Sequence, residues 1–301
     1  MTARDIHIKN SIRELTPLDP EYPERLRCIP NAPATLYVKG SLPADDIPSV
    51  AIIGARDATD YGLDIARTFG AGLARQGILV ISGMAYGIDS AAQKGAVEAG
   101  GKTFAVLGNG LDICYPASNF HLYEQILKSG GGILSELPLG KPPLPQHFAS
   151  RNRIISGLAD AVIVIEAKQR SGTFITVGNA LEQGKQIFAV PGRITDRLSV
   201  GCNHLIQEGA SLLTSVEEVL EYLHLSRDGK QLQLSVDLQN LSALQRQILD
   251  ALQPEADHVE VLASKTSLPS EILSATLLEL EILGLCECTK TGYYRKRLQS
   301  L

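Results

Sequence analysis

No stretch of the 301-residue chain approaches the roughly 18 to 20 uninterrupted apolar residues that a membrane-spanning helix needs. The opening MTARDIHIKN is too polar for the hydrophobic region of a secretory signal, so no membrane association and a cytoplasmic location are expected. Cysteine is sparse: Cys28, Cys114, Cys202, Cys286 and Cys288 are odd in number and show no C-x-x-C spacing, which argues against a disulfide framework and against a zinc site. Cys286 and Cys288, two apart in a strand-like stretch, are expected to face one side as small apolar residues. Catalytic signatures are missing as well. There is no G-x-S-x-G elbow and no H-E-x-x-H, and none of the six histidines stands at ligand spacing from another His or Cys. No catalytic residue, metal or cofactor is therefore expected, and Cys114, with no neighbouring His or Lys, reads as structural. Asp89 and Glu136 stand at strand ends, where capping and turn roles outnumber acid–base ones.

A folded, water-exposed protein is what remains. Hydrophobic residues make up 44 % of the chain and mean hydropathy is +0.04, which excludes wholesale disorder. The net charge of −5 is unevenly spread: residues 50–200 carry +2 and residues 201–261 carry −7, so the middle of the chain remains open to a polyanion.

Short apolar runs alternate with helical patterns from Ser49 to about Ser215. Strands are predicted in SVAIIGA from Ser49, ILVISG from Ile78, TFAVLGNG from Thr103, GILSE from Gly132, DAVIVIEA from Asp160, QIFAVPG from Gln186 and ASLLTS from Ala210. Several lack polar alternation, as strands buried on both faces do, and parallel strands need helical crossovers. The expected fold is therefore an α/β, Rossmann-like, doubly wound and mainly parallel sheet over residues 49–224. Residues 1–48, punctuated by Pro17, Pro20, Pro23, Pro30 and Pro33, read as a lead-in, and the polar residues 225–240 as a linker. Residues 241–301 give three short helical patterns and a hairpin turning near Thr291-Gly292, the make-up of a small winged-helix domain. Apolar Val216, Val219, Leu220 and Leu223 suit an interface or a core equally.

In an open parallel sheet, ligands bind outside the carboxyl ends of the strands. There this chain places Gly54 with Arg56, Ser82-Gly83, Gly108-Asn109-Gly110 and Pro191-Gly192. The run after DAVIVIEA supplies Lys168 and Arg170, and then Ser171-Gly172-Thr173 opens a helix whose N-terminus offers N–H groups and partial positive charge. Glycine closes such turns in any fold of this kind, but several on one edge beside basic side chains point to a phosphate-bearing ligand. In HFASRNRIISGLAD, Arg151 and Arg153 flank Asn152, and Phe148 precedes them by one helical turn. Guanidinium forks pair with phosphates and an aromatic ring gives a base a face to stack on, so this segment points to nucleic acid. The stretch Ala96 to Thr103 loosely matches a P-loop, but it ends a helix and enters a strand, the reverse of a phosphate-wrapping junction, so no ATPase activity is expected.

The motifs VAIIGARDATDYG, SGMAYGIDSAAQKGA, LGNGLDICYP, LSELPLGKPPLPQHFASRNRIISGLADAVIVIEA, RSGTFIT, FAVPG and VGCNHLIQEGA, in this order, resemble the DprA/Smf family of DNA-processing proteins. The resemblance implies an extended Rossmann fold that binds single-stranded DNA without sequence preference, forms a homodimer, and loads RecA onto incoming strands in natural transformation while displacing single-strand-binding protein. It implies a mediator, not an enzyme. Carried onto this chain, the DNA site comprises Gly54, Arg56, Ser82, Gly83, Phe148 as the stacking ring, Arg151, Asn152, Arg153 and Ser171-Gly172-Thr173. Basic residues common in the family are replaced here by Tyr86, Pro145 and the ASNFHL stretch, and a family histidine by Gln93, so a less basic groove is expected, with Lys141 and Lys168 as substitutes. Residues 1–48 then correspond to the tail of a reduced helical domain. The third winged-helix pattern carries Glu271, Glu279 and Glu281 without Lys or Arg, which favours contact with protein over DNA although Lys290, Arg295, Lys296 and Arg297 follow. The rival reading is a nucleotide-processing hydrolase similar to lysine-decarboxylase-like phosphoribohydrolases, against which Thr176 stands where those enzymes place a glutamate.

Overall fold

The computed structural model describes residues 12–169, 171–223, 241–253, 256–266, 268–282, 285–290 and 292–296; Arg170, Arg297 and the expected linker lie outside them. The chain divides into two compact units, Met1–Ser226 and Arg227–Leu301.

All seven predicted strands are present in the first unit: β3 (Ser49–Gly54), β4 (Leu79–Ser82), β5 (Thr103–Val106), β6 (Gly132–Ser135), β7 (Ala161–Ile165), β8 (Gln186–Ala189) and β9 (Ser211–Leu212). They pair parallel throughout, in the order β6-β5-β4-β3-β7-β8-β9. Two more strands precede them in the sequence. β1 (Ile12–Leu15) and β2 (Leu36–Gly40) extend the β6 edge antiparallel, completing a nine-stranded sheet. Residues 12–15 and 36–40 are thus strands of the sheet, so the segment before Ser49 is more than a lead-in. The reason is visible in LYVKG: Leu36 and Val38 are buried in one core, while Tyr37 between them points to the opposite face and packs half-buried against the core that includes Leu107 and Tyr123, the two-residue period of a strand. Arg25 fastens the segment to the first parallel strand by donating to Ser49 Oγ and the Leu158 carbonyl, and by pairing with Asp160 at 3.2 Å.

Helices cover both faces: α1 (Glu24–Arg27), α2 (Asp60–Arg75), α3 (Ile88–Glu98), α4 (Phe120–Lys128), α5 (Pro145–Gly157), α6 (Thr173–Glu182), α7 (Val200–Gln207) and α8 (Val216–Tyr222). Successive residues of β3 feed opposite cores. Val50 and Ile52 pack with Phe69 and Leu73 of α2 and Ala92 of α3, whereas Ala51 and Ile53 pack with Ile154 of α5, Val177 of α6 and Leu205 of α7. Burial of each large apolar side chain contributes about 1.5–3 kcal/mol, so a one-residue slip of this strand is opposed from both faces. Val216, Leu220 and Leu223 pack beside buried Val219 against the α2–α3 core, which accounts for their apolar spacing.

Strand order reverses at β3: β4, β5 and β6 add on one side, β7, β8 and β9 on the other. This opens a crevice outside the carboxyl ends of the strands flanking β3.

The second unit holds α9 (Ala243–Ala251), α10 (Val259–Thr266) and α11 (Ser270–Ile282) with a small antiparallel sheet ordered β10 (Asp257–His258), β12 (Tyr293–Lys296), β11 (Cys286–Lys290). Ser242 and Gln245 form a reciprocal capping box at the start of α9, and Ile248, Leu262, Leu273, Leu277 and Leu280 form the core. Cys286 is buried as expected, but Cys288 is exposed. The ladder loses register between Cys288 and Lys290, and the Cys288 N–H donates to Glu281 Oε1 at 3.0 Å.

Candidate nucleic-acid interface

At the crevice, the turns after β3, β5 and β7 meet the first turns of α5 and α6 around a cavity of about 550 Å³. Helix α5 supplies one wall. Its 3.6-residue period puts Phe148, Arg151, Asn152 and Ile155 on one face, and all four line the cavity. Gly54 and Arg56 come from the end of β3, Lys168 from the turn after β7, and Ser171, Gly172 and Thr173 from the start of α6. The Ser171 hydroxyl accepts from the Thr173 N–H at 3.2 Å, and the positive end of the α6 dipole faces the cavity.

The three arginines brought together by the sequence part company here. Arg56 is exposed, and its guanidinium lies 5.0 Å from the centre of the Phe148 ring. Among the described residues neither Arg56 nor Lys168 is held by a carboxylate. Arg151 is 4 % exposed and donates to the Gly83 carbonyl at 2.9 Å and to the Val106 carbonyl. Burial lowers its pKa to about 10, with the Asp89 carboxylate opposing that shift. Arg153, about 200° round the helix from Arg151, turns away from the cavity into a two-pronged pair with Glu136, Nη1–Oε1 at 3.0 Å and Nη2–Oε2 at 2.6 Å, and its Nε donates to the Asn31 carbonyl.

Ser82 and Gly83 serve the scaffold. Ser82 is buried and donates to the Ile52 carbonyl at 2.7 Å, and a Cβ on Gly83 would lie 2.4 Å from the Arg151 guanidinium. Close approach also explains Gly54 and Gly108, whose added Cβ atoms would meet the Ile165 carbonyl at 2.3 Å and the Phe148 ring at 2.7 Å. At Gly172, by contrast, an added Cβ would meet only open space.

Two carboxylates near the cavity are fully engaged. Asp89 accepts the Gly83 N–H at 3.1 Å and the Ala85 N–H; burial raises its pKa, and Arg151 and those two donors work against the rise. Glu166 holds a left-handed backbone conformation, φ 60°, and accepts from the N–H and hydroxyl of Thr59, the residue whose own oxygen caps α2. This clamps the turn that carries Arg56. Sequence reasoning assigned no role to Glu166, nor to Tyr115, whose ring stacks on Phe148 with centroids 5.5 Å apart and planes at 28°. The signal for Tyr115 was present: an aromatic in C-Y-P at the end of the turn leaving a parallel strand.

The departures from the family pattern fall in different places. Gln93 is buried and donates to Thr103 Oγ1 and the Phe104 carbonyl, away from the cavity, whereas Pro145 lines it and Lys141 is exposed nearby in the chain. The P-loop-like stretch runs from the end of α3 into β5, as read from the sequence.

A family model described as DNA recombination-mediator protein A matches residues 13–224, and one for the DprA winged helix domain matches residues 235–290. The chain belongs to the DprA family. It is 39 % identical over 289 residues to Protein Smf of Escherichia coli strain K12, covering 94 % of this chain and 77 % of that protein. Identity to the DNA processing protein DprA of Streptococcus pneumoniae is 47 % over 203 residues, 67 % of this chain and 71 % of the relative. The X-ray structure of DprA from Streptococcus pneumoniae superposes with a TM-score of 0.66 at 44 % identity, covering 72 % of this chain and 77 % of that one. A structure of DNA processing protein A from Helicobacter pylori, described in terms of its single-stranded DNA binding mode, superposes with a TM-score of 0.64 at 30 % identity, covering 71 % and 95 %. Among the described residues no helix is long and apolar enough to cross a membrane, and no cluster of three or more His, Cys, Asp or Glu side chains could hold a metal ion.

Proposed function

We propose that this DprA-family chain binds single-stranded DNA without sequence preference in the cavity at the carboxyl ends of its parallel strands, and acts in the cytoplasm as a homodimeric mediator that loads RecA onto incoming DNA in place of single-strand-binding protein. The observation that carries the binding step is the stacked Phe148–Tyr115 pair with the exposed Arg56 guanidinium over Phe148 and Lys168 across the cavity. Every base has a face to stack, and cations on phosphates read no sequence, so rings and cations together bind strands of any sequence. Arg56, Lys168, Asn152 and the Ser171-Gly172-Thr173 turn face the strand in this reading; Arg151 and Gly83 hold the wall behind it, Ser82 fixes the strand end, and Arg153 fixes α5. Family membership and the Helicobacter pylori relative support this assignment.

No chemical step is assigned. Asp89 and Glu166 are committed to N–H and hydroxyl donors, and Thr176 lines the cavity where the hydrolase reading needs a glutamate. The test is fluorescence anisotropy of labelled single-stranded and duplex oligonucleotides against salt, for the wild type and Arg56→Ala. Preference for single strands, a negative log–log salt slope and a slope smaller by about 0.7 in the variant are expected. Absence of strand binding at low salt, with release of free base from a nucleoside monophosphate, would overturn the reading in favour of the hydrolase.

A further inference from the structure

Arg56 has a second cavity on its other side. The turn after β3, the turn after β4 and the facing sides of α2 and α3 enclose a groove of about 550 Å³ that shares Arg56 and Asp57 with the first cavity. Three side chains give it its character. Tyr86 is 50 % exposed, and among the described residues its ring stacks on no other ring. Lys94 makes no ion pair among the described residues, and Arg67 meets Glu98 only at 3.8 Å through Nε, both partners being exposed. With Arg56 the groove carries three cations against the single carboxylate of Asp57.

Packing of α2 on α3 forces the two outer cations together. A Cβ on Gly95 would stand 2.1 Å from the Arg67 carbonyl, and one on Gly70 2.0 Å from the Ala92 carbonyl, so the backbones touch at the level of Arg67 and Lys94. Both side chains line the groove together with Arg56 and Tyr86. An exposed ring beside two cations offers a strand the same two kinds of contact, stacking and charge, as the first cavity, with Arg56 as the shared post.

The geometry points to this groove as a second subsite for a single nucleic-acid strand: the strand crosses Arg56 from the first cavity, a base stacks on Tyr86, and Lys94 and Arg67 hold the following phosphates. It rests on the proposed strand-binding function. It also assigns a role to Tyr86, a position where the family often has a cation: in this chain the charge stands instead on the helix pair behind it.

The test is anisotropy with oligothymidylates of four and twelve nucleotides across a salt series, using the full chain, Tyr86→Ala, and Arg67→Ala combined with Lys94→Ala. For the twelve-mer, loss of two phosphate contacts lowers the salt slope by about 1.4, and loss of the Tyr86 stack weakens binding about five- to tenfold. The four-mer, expected to occupy the first cavity without reaching Lys94 and Arg67, is bound unchanged by all three proteins. Photocrosslinking from a 5-iododeoxyuridine-containing twelve-mer, mapped by mass spectrometry, identifies Tyr86. Unchanged twelve-mer affinity and slope in the variants, while Arg56→Ala still weakens binding, overturns the second subsite alone. Equal losses for both lengths also overturn it, because the residues then serve the first cavity. A wild type that binds neither oligonucleotide overturns this inference and the strand-binding reading together.

Discussion

Arg151→Met separates a buried strut from a ligand contact. The substitution keeps most of the side-chain volume but removes the donors that satisfy the Gly83 and Val106 carbonyls, and it removes the charge facing buried Asp89. Two buried carbonyls without donors cost about 1–3 kcal/mol each, and removing one member of a buried charge pair costs about 3–5 kcal/mol in total. Against a domain stability of about 5–15 kcal/mol and a urea slope of about 2–3 kcal/mol per molar, the expected shift in unfolding midpoint is roughly 1–2 M. Arg56→Ala, which loses only an exposed cation–π contact worth about 0.5–1 kcal/mol, shifts the midpoint by less than about 0.5 M. The assay is urea unfolding followed by far-ultraviolet circular dichroism at several pH values. Without Arg151, Asp89 is left with a pKa raised by burial. A carboxyl whose folded pKa lies above its unfolded one contributes stability at low pH and loses it as pH rises, so the deficit of Arg151→Met is larger at pH 7 than at pH 5. Adding Asp89→Asn to Arg151→Met restores part of the loss. An Arg151→Met protein as stable as Arg56→Ala, with no pH dependence in the difference, would refute this reasoning.

Burial pushes the Glu136 pKa up, but hydrogen bonds from Arg153 and Ser150 and the Arg153 charge outweigh it, leaving the carboxyl below its ordinary 4.5. The stability difference between wild type and Glu136→Gln is therefore constant above about pH 4.5 and shrinks as pH falls below it, as acid-range denaturation would measure. Burial pushes the Cys202 thiol up to about 12, so it stays unreactive toward a disulfide reagent at pH 8 until the chain unfolds, whereas exposed Cys28 reacts at once; mass spectrometry of the labelled protein distinguishes the two. Gly70→Ala places a Cβ about 2.0 Å from the Ala92 carbonyl and must separate α2 from α3, lowering stability by about 1–3 kcal/mol in thermal unfolding.

The two cavities and their shared arginine give the fold a physical logic. Close packing at the carboxyl ends of the strands, which requires Gly54, Gly83 and Gly108, leaves the cations Arg56 and Lys168 and the Tyr115 and Tyr86 rings lining the two cavities. Glu166 contributes from behind by fixing the turn that presents Arg56.

The parallel core was legible in the sequence because its strands are buried on both faces and written as unbroken apolar runs, with glycine or small polar residues marking where each ends. The motif order also carried the family, and the Arg56, Phe148 and Ser171-Gly172-Thr173 positions fell on one edge. Strands β1 and β2 were less visible. β2 adds to an edge by antiparallel pairing with β6, a partner nearly a hundred residues away, β1 pairs in turn with β2, and the four residues of β1 carry too weak an alternation to declare themselves. Tertiary structure alone decided which arginine does what. Arg151 and Arg153 are two residues apart, but helical rotation sends one into a lined wall of carbonyls and the other to Glu136, leaving Arg56 exposed from a different turn altogether. Residue type fixes the charge a side chain can carry; burial and the partners within reach, which depend on chains folded together from distant segments, fix what that charge is used for.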